Sequence, residues 1–193
     1  MAEAPTLINL FEVDDRDDDF VAGWERAREF LDEHAGSIQT ALHRSLDPDA
    51  EFRYVNVARL GEFEAWQKAI ADPDFPGREM PFAAHPMLFR VAAEEGSEGE
   101  DGAVLINPFE VPEDGDERFV SAWEQAGEWL ASQEGWQGRR LHQSLAPADF
   151  RFVNLGWWKS EDAYRQAVER PDAGSALDFP FSGRPALYEV IRR

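Results

Sequence analysis

LINLFEV, at residues 7–13, returns as LINPFEV at residues 105–111. The correspondence continues along the chain: LHRSL at residues 42–46 matches LHQSL at 141–145, and RYVN at 53–56 matches RFVN at 151–154. Each copy has about 90 residues, which is too long for one unit of a solenoid but sufficient for a small domain. The sequence therefore predicts a tandem duplication. Comparison of the two copies also shows which polar residues occur in both.

Composition excludes several classes of function. The chain has 193 residues and a net charge of −20, which repels phosphate backbones and anionic membrane surfaces, so we expect neither a nucleic acid nor a membrane as partner. Because it has no cysteine, it forms no disulfide, thiolate metal site or cysteine nucleophile. The N-terminus shows no basic region followed by an apolar run, and no stretch reaches the roughly 20 apolar residues of a membrane span, so we expect a cytoplasmic protein.

Each copy has a hydrophobic pattern that predicts the order β-α-β-β-α-β. Leu7, Asn9 and Phe11 alternate on one face of a first strand, and the acidic residues 14–19 are typical of a helix start. Strands around residues 38–46 and 51–58, a second helix ending near Pro73 and a last strand near Leu88 follow. This order predicts an α+β fold, with a ferredoxin-like sheet and both helices on one face in each copy.

The predicted domains span residues 4–92 and 103–193. Between them, residues 93–102 are acidic and rich in glycine, which indicates a flexible linker. Ile8 and Leu10 place apolar side chains on the sheet face away from the helices, so that face also needs cover. We therefore expect the two sheets to form an intramolecular dimeric α+β barrel, which gives a monomer with a pseudo-dimeric barrel or a weak homo-oligomer.

Two asparagines in the second copy lie within apolar strands and are candidates for a site. Asn107 shares a strand face with Phe109, and a buried amide needs hydrogen-bond partners from the backbone or from a ligand. Asn154 lies within a second strand that carries aromatic residues and a side-chain gap on the same face. These residues predict a pocket lining in the C-terminal copy: Phe150, Phe152, Asn154, Gly156 and Trp158.

His142 and Arg184 each admit two interpretations. His142, matched by His43, is either a structural imidazole or a general base that the hairpin brings toward Asn154. Arg184 either caps or pairs with a loop, or attracts an ionised substrate. Trp24 and Trp123 fall at core-facing helix positions, where we expect them to pack. The histidines are scattered without carboxylates at ligand spacing, so the sequence predicts no metal site.

Residues 106–112, the strand with Leu141 and His142, residues 152–158 and residues 184–190 together resemble the antibiotic biosynthesis monooxygenase family. The resemblance implies a dimeric α+β barrel. It also implies oxidation of anthrone-like aromatic polyketides or phenols by molecular oxygen, with no flavin, haem or metal. By resemblance, Asn107, Asn154 and Trp158 line the catalytic site. For the loss of the substrate proton two alternatives are open: His142 helps to remove it, or the ionised substrate forms unaided. The first copy has Leu60 at the tryptophan position, which implies a degenerate N-terminal domain.

Three functions follow as alternatives. The first is a cofactor-independent monooxygenase of an aromatic, polyketide-like substrate in secondary metabolism, in which amides of a dry pocket stabilise the developing oxyanion. The second is a ligand-binding or cyclase-like protein that uses the same pocket without oxygenation. The third is a haem-binding or haem-degrading protein, for which His85 is the available histidine of the first copy.

Overall fold

The computed structural model describes residues 4–36, 38–99 and 101–193. Residue contacts divide the chain into two compact units. The first unit extends to Arg90 and includes Ile191–Arg193, and the second comprises Val91–Val190. Each unit thus contains most of one repeat together with the end of the last strand of the other.

The first unit has the predicted order of strands and helices. Its elements are β1 (Thr6–Glu12), α1 (Asp17–His34), β2 (Ile38–Ser45), β3 (Tyr54–Leu60), α2 (Phe63–Ala71), a 3₁₀ turn (Pro76–Glu79) and the first part of β4 (Ala83–Gly96). The antiparallel strands lie in the order β4-β1-β3-β2. This is the strand order expected of the ferredoxin-like arrangement.

Aromatic packing fixes α1 on the sheet of the first unit. Phe20 is fully buried and stacks on Tyr54 with ring centroids 4.3 Å apart. Burial of each such ring contributes on the order of 2 kcal/mol. Arg53 also pairs with Asp17 at 2.9 Å and donates to the Ser45 carbonyl, so it joins the start of α1 to the β2–β3 hairpin. The Arg53 hydrogen bond holds the pKa of Asp17 below its usual value.

The second unit repeats this arrangement. Its elements are β5 (Ala103–Phe109), a 3₁₀ turn (Glu113–Gly115), α3 (Asp116–Ala131), β6 (Trp136–Ser144), β7 (Phe152–Trp158), α4 (Glu161–Val168), α5 (Ala173–Ala176) and β8 (Ala186–Arg192). The strand order is β8-β5-β7-β6. Phe119 stacks on Phe152, and Arg151 pairs with Asp116 at 2.7 Å, as Arg53 does with Asp17. The predicted α+β fold with ferredoxin-like repeats is therefore confirmed.

The predicted linker over residues 93–102 differs from the structure. β4 continues to Gly96, and the Ser97 amide donates to the Gln137 carbonyl at 3.0 Å. The acidic run is held by arginines of β6, because Glu95 pairs with Arg139 and Glu94 pairs with Arg140. Glu100, also within the predicted linker, lies outside the described residues. The unit boundary accordingly falls after Arg90 and not at residue 93. The acidic residues look like a solvated tether in sequence because their partners are more than forty residues away.

Within the described residues, no helix is both long and apolar enough to cross a membrane.

Candidate functional site

The asparagines of each repeat face each other across neighbouring strands. Asn9 of β1 is directly opposite Asn56 of β3, and Asn107 of β5 is directly opposite Asn154 of β7. Residues in such cross-strand pairs share a sheet face, with their Cβ atoms about 5 Å apart. The face is the one that carries the helices, because Asn56 and Asn154 each contact a helix tryptophan. The structure thus brings together Asn107 and Asn154, as the sequence predicted, and does the same for Asn9 and Asn56.

A tryptophan from the first helix of each unit orients the second asparagine. Trp24 Nε1 donates to Asn56 Oδ1 at 3.2 Å, and Trp123 Nε1 donates to Asn154 Oδ1 at 2.8 Å. An indole N–H is only a donor, so each accepting atom must be the amide oxygen. In the first unit Thr40 Oγ1 also donates to Asn56 Oδ1 at 2.7 Å. The Asn56 amide nitrogen then remains a donor with no partner in the described part of the chain.

The structure shows a cavity of about 490 Å³ between the sheet and helices of the first unit. This volume lies in the range of sites for drug-sized ligands. Its walls are mainly apolar, and its polar and charged lining residues are few: Asn9, Arg28, Asp32, Thr40, Asn56 and Arg78. The Asn9 Oδ1 atom is buried and accepts no hydrogen bond from the described residues. The cavity therefore presents an unused acceptor on Asn9 and an unused donor on Asn56, on neighbouring strands.

Buried side chains occupy part of the equivalent space in the second unit, where the sequence predicted the better pocket, and the described cavity lies in the first unit instead. Arg139 stands where the first repeat has Thr40, and it is only 2% exposed. Its guanidinium lies 3.4 Å from the centre of the Trp123 ring and pairs with Glu95 at 2.9 Å. Burial lowers the pKa of Arg139, and the Glu95 carboxylate opposes that shift. Gly127 makes room for this side chain, since a Cβ there would lie 1.8 Å from Arg139 Nη2.

Trp158 reduces the space of the second unit further. It stands where the first repeat has Leu60, is 1% exposed and packs edge-on against Tyr164 at 5.5 Å. A Cβ at Gly156 would lie 3.7 Å from Asn154 Nδ2 and 3.8 Å from Trp158 Nε1. The structure thus groups Asn154, Gly156 and Trp158 as predicted.

His142 does not join this group, which corrects its predicted place in the pocket. Leu141 is opposite Asn154 across the strands and His142 is opposite Val153. Side chains alternate between the two faces of a strand, so His142 lies on the face away from Asn154 and the helices. His43 behaves in the same way and contacts the Val55 carbonyl at 3.1 Å. A histidine on that face cannot serve as base to a substrate held at Asn154.

The other predicted substrate-binding residues lie in the core or at a strand end. Phe109 and Phe152 belong to the aromatic core around Phe119, where packing accounts for them. Arg184 pairs with Glu110 and lies 5.2 Å above the Phe150 ring. The first repeat has the matching set, in which His85 pairs with Glu12 and contacts Phe52. Arg184 thus forms an ion pair at the end of β5, which is the first of the two interpretations that the sequence allowed.

Sequence reasoning missed three residues of the cavity: Trp24, Arg28 and Thr40. Trp24 was predicted only to pack, whereas it also orients Asn56. Arg28 of α1 corresponds to Gly127 of α3, and Thr40 of β2 corresponds to Arg139 of β6. The first repeat therefore has its arginine on the helix, and the second repeat has its arginine on the strand. That exchange between the copies is the signal that marks the open and the filled unit.

Comparison with known proteins relates the second repeat to a protein family. Residues 103–177 match the family model described as antibiotic biosynthesis monooxygenase. A candidate monooxygenase from Shewanella loihica PV-4 is 38% identical to this chain, with a TM-score of 0.44. The match covers 49% of this chain and 100% of that one. No curated protein matches the chain.

Two solved structures share the fold at low identity. An anthrone oxidase-like protein is 17% identical with a TM-score of 0.79, and the match covers 99% of this chain and 92% of that one. A haem-degrading enzyme from Listeria monocytogenes is 11% identical with a TM-score of 0.53, covering 95% of this chain and 98% of that one. With its family match in the second repeat and the same fold in both repeats, the chain belongs to the antibiotic biosynthesis monooxygenase family.

Proposed function

We propose that the protein is a cofactor-independent monooxygenase, and that its site is the cavity of the first unit. The substrate is an aromatic, polyketide-like molecule with an acidic C–H or phenol group, such as an anthrone. The observation that carries the proposal is the Asn9–Asn56 pair inside an apolar cavity of about 490 Å³. Apolar walls bind the rings, and the two amides bind the oxygen atoms.

The Asn56 amide nitrogen is positioned to stabilise an enolate oxygen. Its own oxygen is held by Trp24 and Thr40, so the amide cannot rotate without losing two hydrogen bonds. A fixed donor in a water-poor site stabilises developing negative charge without reorganisation. Asn9 Oδ1 complements it as an acceptor for a neighbouring hydroxyl of the substrate. The pair thus suits a hydroxy-ketone arrangement on an aromatic ring system.

The reaction balances without an added reductant. The substrate methylene loses a proton to solvent and becomes an enolate, which transfers an electron to dioxygen. Recombination of the two radicals forms a C–O bond. Cleavage of the O–O bond then yields a ketone and water, so R₂CH₂ and O₂ give R₂CO and H₂O. The carbon supplies all four electrons that dioxygen accepts, and the protein contributes binding and stabilisation of the enolate.

Haem degradation has less support in this site. All four histidines of the chain fall within the described residues, and none of them lines the described cavity. His85 is opposite Leu10, on the sheet face away from Asn9, and is paired with Glu12. The haem-degrading neighbour is similar in fold alone.

Oxygen uptake with dithranol, without added metal or flavin and in the presence of a chelator, tests the proposal. We expect the wild-type protein to consume oxygen and form the quinone. Asn56→Ala should lower the rate about 100-fold, as loss of an oxyanion donor does elsewhere. Asn154→Ala is the matched control and should retain the rate within about threefold, because Arg139 and Trp158 fill the second unit.

Two outcomes would change the assignment. Binding of dithranol without oxygen uptake would favour the ligand-binding or cyclase-like function over the oxygenase. If both variants are folded and the rate of oxygen uptake falls more in Asn154→Ala than in Asn56→Ala, the active site lies in the second unit.

A further inference from the structure

We infer that the cavity selects substrates with an anionic group, and that Arg28 is the residue that recognises it. The inference rests on the proposed function, since it names the substrate class of the same site. It concerns a second polar contact, separate from the Asn9–Asn56 pair. Its basis is an arginine that lines the cavity without a hydrogen bond.

Arg28 lies on the cavity-facing side of α1. Trp24, Arg28 and Leu31 follow each other at spacings of four and three residues and all line the cavity. Arg28 is therefore about one helical turn, roughly 5.4 Å along the axis, beyond the tryptophan that orients Asn56. A ligand whose oxygen contacts Asn56 would thus meet Arg28 with a different part of its ring system.

Arg28 makes no hydrogen bond to the residues that the structure describes. Its only described charged neighbour is Asp32, with Nε and Oδ2 3.6 Å apart, which is beyond hydrogen-bond distance. The side chain as a whole is 38% exposed, but its Nε atom is buried and has no hydrogen-bond partner in the part of the chain that the structure describes. Buried polar atoms of native proteins are nearly always hydrogen-bonded, so a group without a partner in a cavity points to a ligand.

The two other arginines in or near these sites each donate hydrogen bonds to protein atoms. Arg78, also at the cavity, donates to the carbonyls of Ile70 and Ala71 at the end of α2. Arg139, in the second unit, donates from Nη1 to the Trp123 carbonyl and from Nε to Glu95, while its Nη2 has no hydrogen-bond partner among the described residues but lies 2.9 Å from Glu95. Arg28 differs from both in making no hydrogen bond to the described protein atoms while it lines the cavity. The planar fork of donors of an arginine matches a carboxylate bidentately.

The charge of the cavity lining supports an anionic ligand. The chain has 19 basic and 39 acidic residues, yet the charged residues lining this cavity are two arginines and one aspartate. The lining therefore carries a net positive charge within a strongly acidic protein. Asp32 is 44% exposed, so water screens its attraction for Arg28. The second repeat has Gly127 and Ala131 at these two positions, so the feature belongs to the open unit alone.

The test compares two three-ring probes that differ in charge, anthracene-9-carboxylate and anthracene-9-methanol. Calorimetric titration of the whole protein at low salt gives both affinities. We expect the wild type to bind the carboxylate about tenfold more tightly than the alcohol, equivalent to about 1.4 kcal/mol. Arg28→Gln should abolish the preference and leave the affinity for the alcohol unchanged, which shows that the cavity is intact. Arg28→Lys should retain part of the preference, because it keeps the charge and loses the fork.

Arg26→Gln is the matched control, since Arg26 is exposed on the same helix and does not line the cavity. It should keep the full preference. The inference is overturned if Arg28→Gln retains the preference, if Arg26→Gln loses as much, or if the wild type shows no preference, including failure to bind either probe. Oxygen uptake by the wild type is measured separately. A wild-type protein that prefers the carboxylate probe but shows no oxygenase activity would refute the proposed reaction and not the role of Arg28.

Discussion

The Glu95→Gln substitution tests whether the end of β4 is a structural part of the second unit. Glu95 Oε2 accepts from Arg139 Nε at 3.0 Å, and the Arg139 side chain is 2% exposed. The substitution keeps the size of the side chain and removes its charge. It leaves the buried guanidinium above Trp123 without the carboxylate that pairs with it directly.

The expected cost follows from the burial of the two partners. Removal of one partner from a fully buried ion pair costs about 3 to 5 kcal/mol, and a hydrogen bond to a charged group contributes about 1.5 to 3 kcal/mol. Glu95 is 41% exposed, so water compensates part of the loss. We therefore expect the free energy of unfolding of the second unit to fall by about 2 kcal/mol.

Urea denaturation followed by tryptophan fluorescence measures this loss, and urea leaves ion pairs unscreened. Glu94→Gln is the matched control, because Glu94 is 66% exposed and pairs with Arg140 at the surface. That variant should lose less than about 1 kcal/mol. Equal losses from the two variants would refute the reasoning and favour a flexible linker after residue 93.

Two further predictions concern the first and second units. Burial, with a contribution from Asp17, raises the pKa of Tyr54 from 10.0 to about 12, so the neutral phenol is favoured in the folded state. The stabilising contribution of this group is complete below pH 10 and is lost as the pH rises from 10 to about 12. In urea titrations across this pH range, the free energy of unfolding of Tyr54→Phe should therefore fall less than that of the wild type. An identical fall in the two proteins would contradict the assignment. Arg139→Thr combined with Trp158→Leu gives the second unit the residues of the first, and the calorimetric stoichiometry for anthracene-9-carboxylate or anthracene-9-methanol should rise from one to two per chain. A stoichiometry that stays at one in a folded double variant would show that these two side chains are not what fills the second unit.

The sequence predicted the local structure because both repeats carry the same signals. The alternation around Asn9 and Asn107, the acidic starts of α1 and α3 and the core spacing of Trp24 and Trp123 depend on neighbours in the chain. Such signals are decided within a few residues, so they can be read without the fold. The β-α-β-β-α-β order is of this kind.

Strand register was not available from the sequence. The faces of β6 and β7 are fixed by Leu141 standing opposite Asn154, and this places His142 on the other face. A shift of one residue in the pairing would have reversed that result, because side chains alternate along a strand. The hairpin pattern alone does not distinguish these two registers.

What only the tertiary structure decided is which repeat is open. The sequence by itself determined the duplication, the ferredoxin-like repeats and the presence of two asparagines within apolar strands in each. Whether those amides face a cavity depends on where Arg139 places its guanidinium, and that depends on Gly127 and on Glu95 in other parts of the chain. These contacts join residues that are 12 and 44 positions apart along the chain. A long flexible side chain takes its position from such distant partners, so its effect on a cavity appears only when the chain is folded.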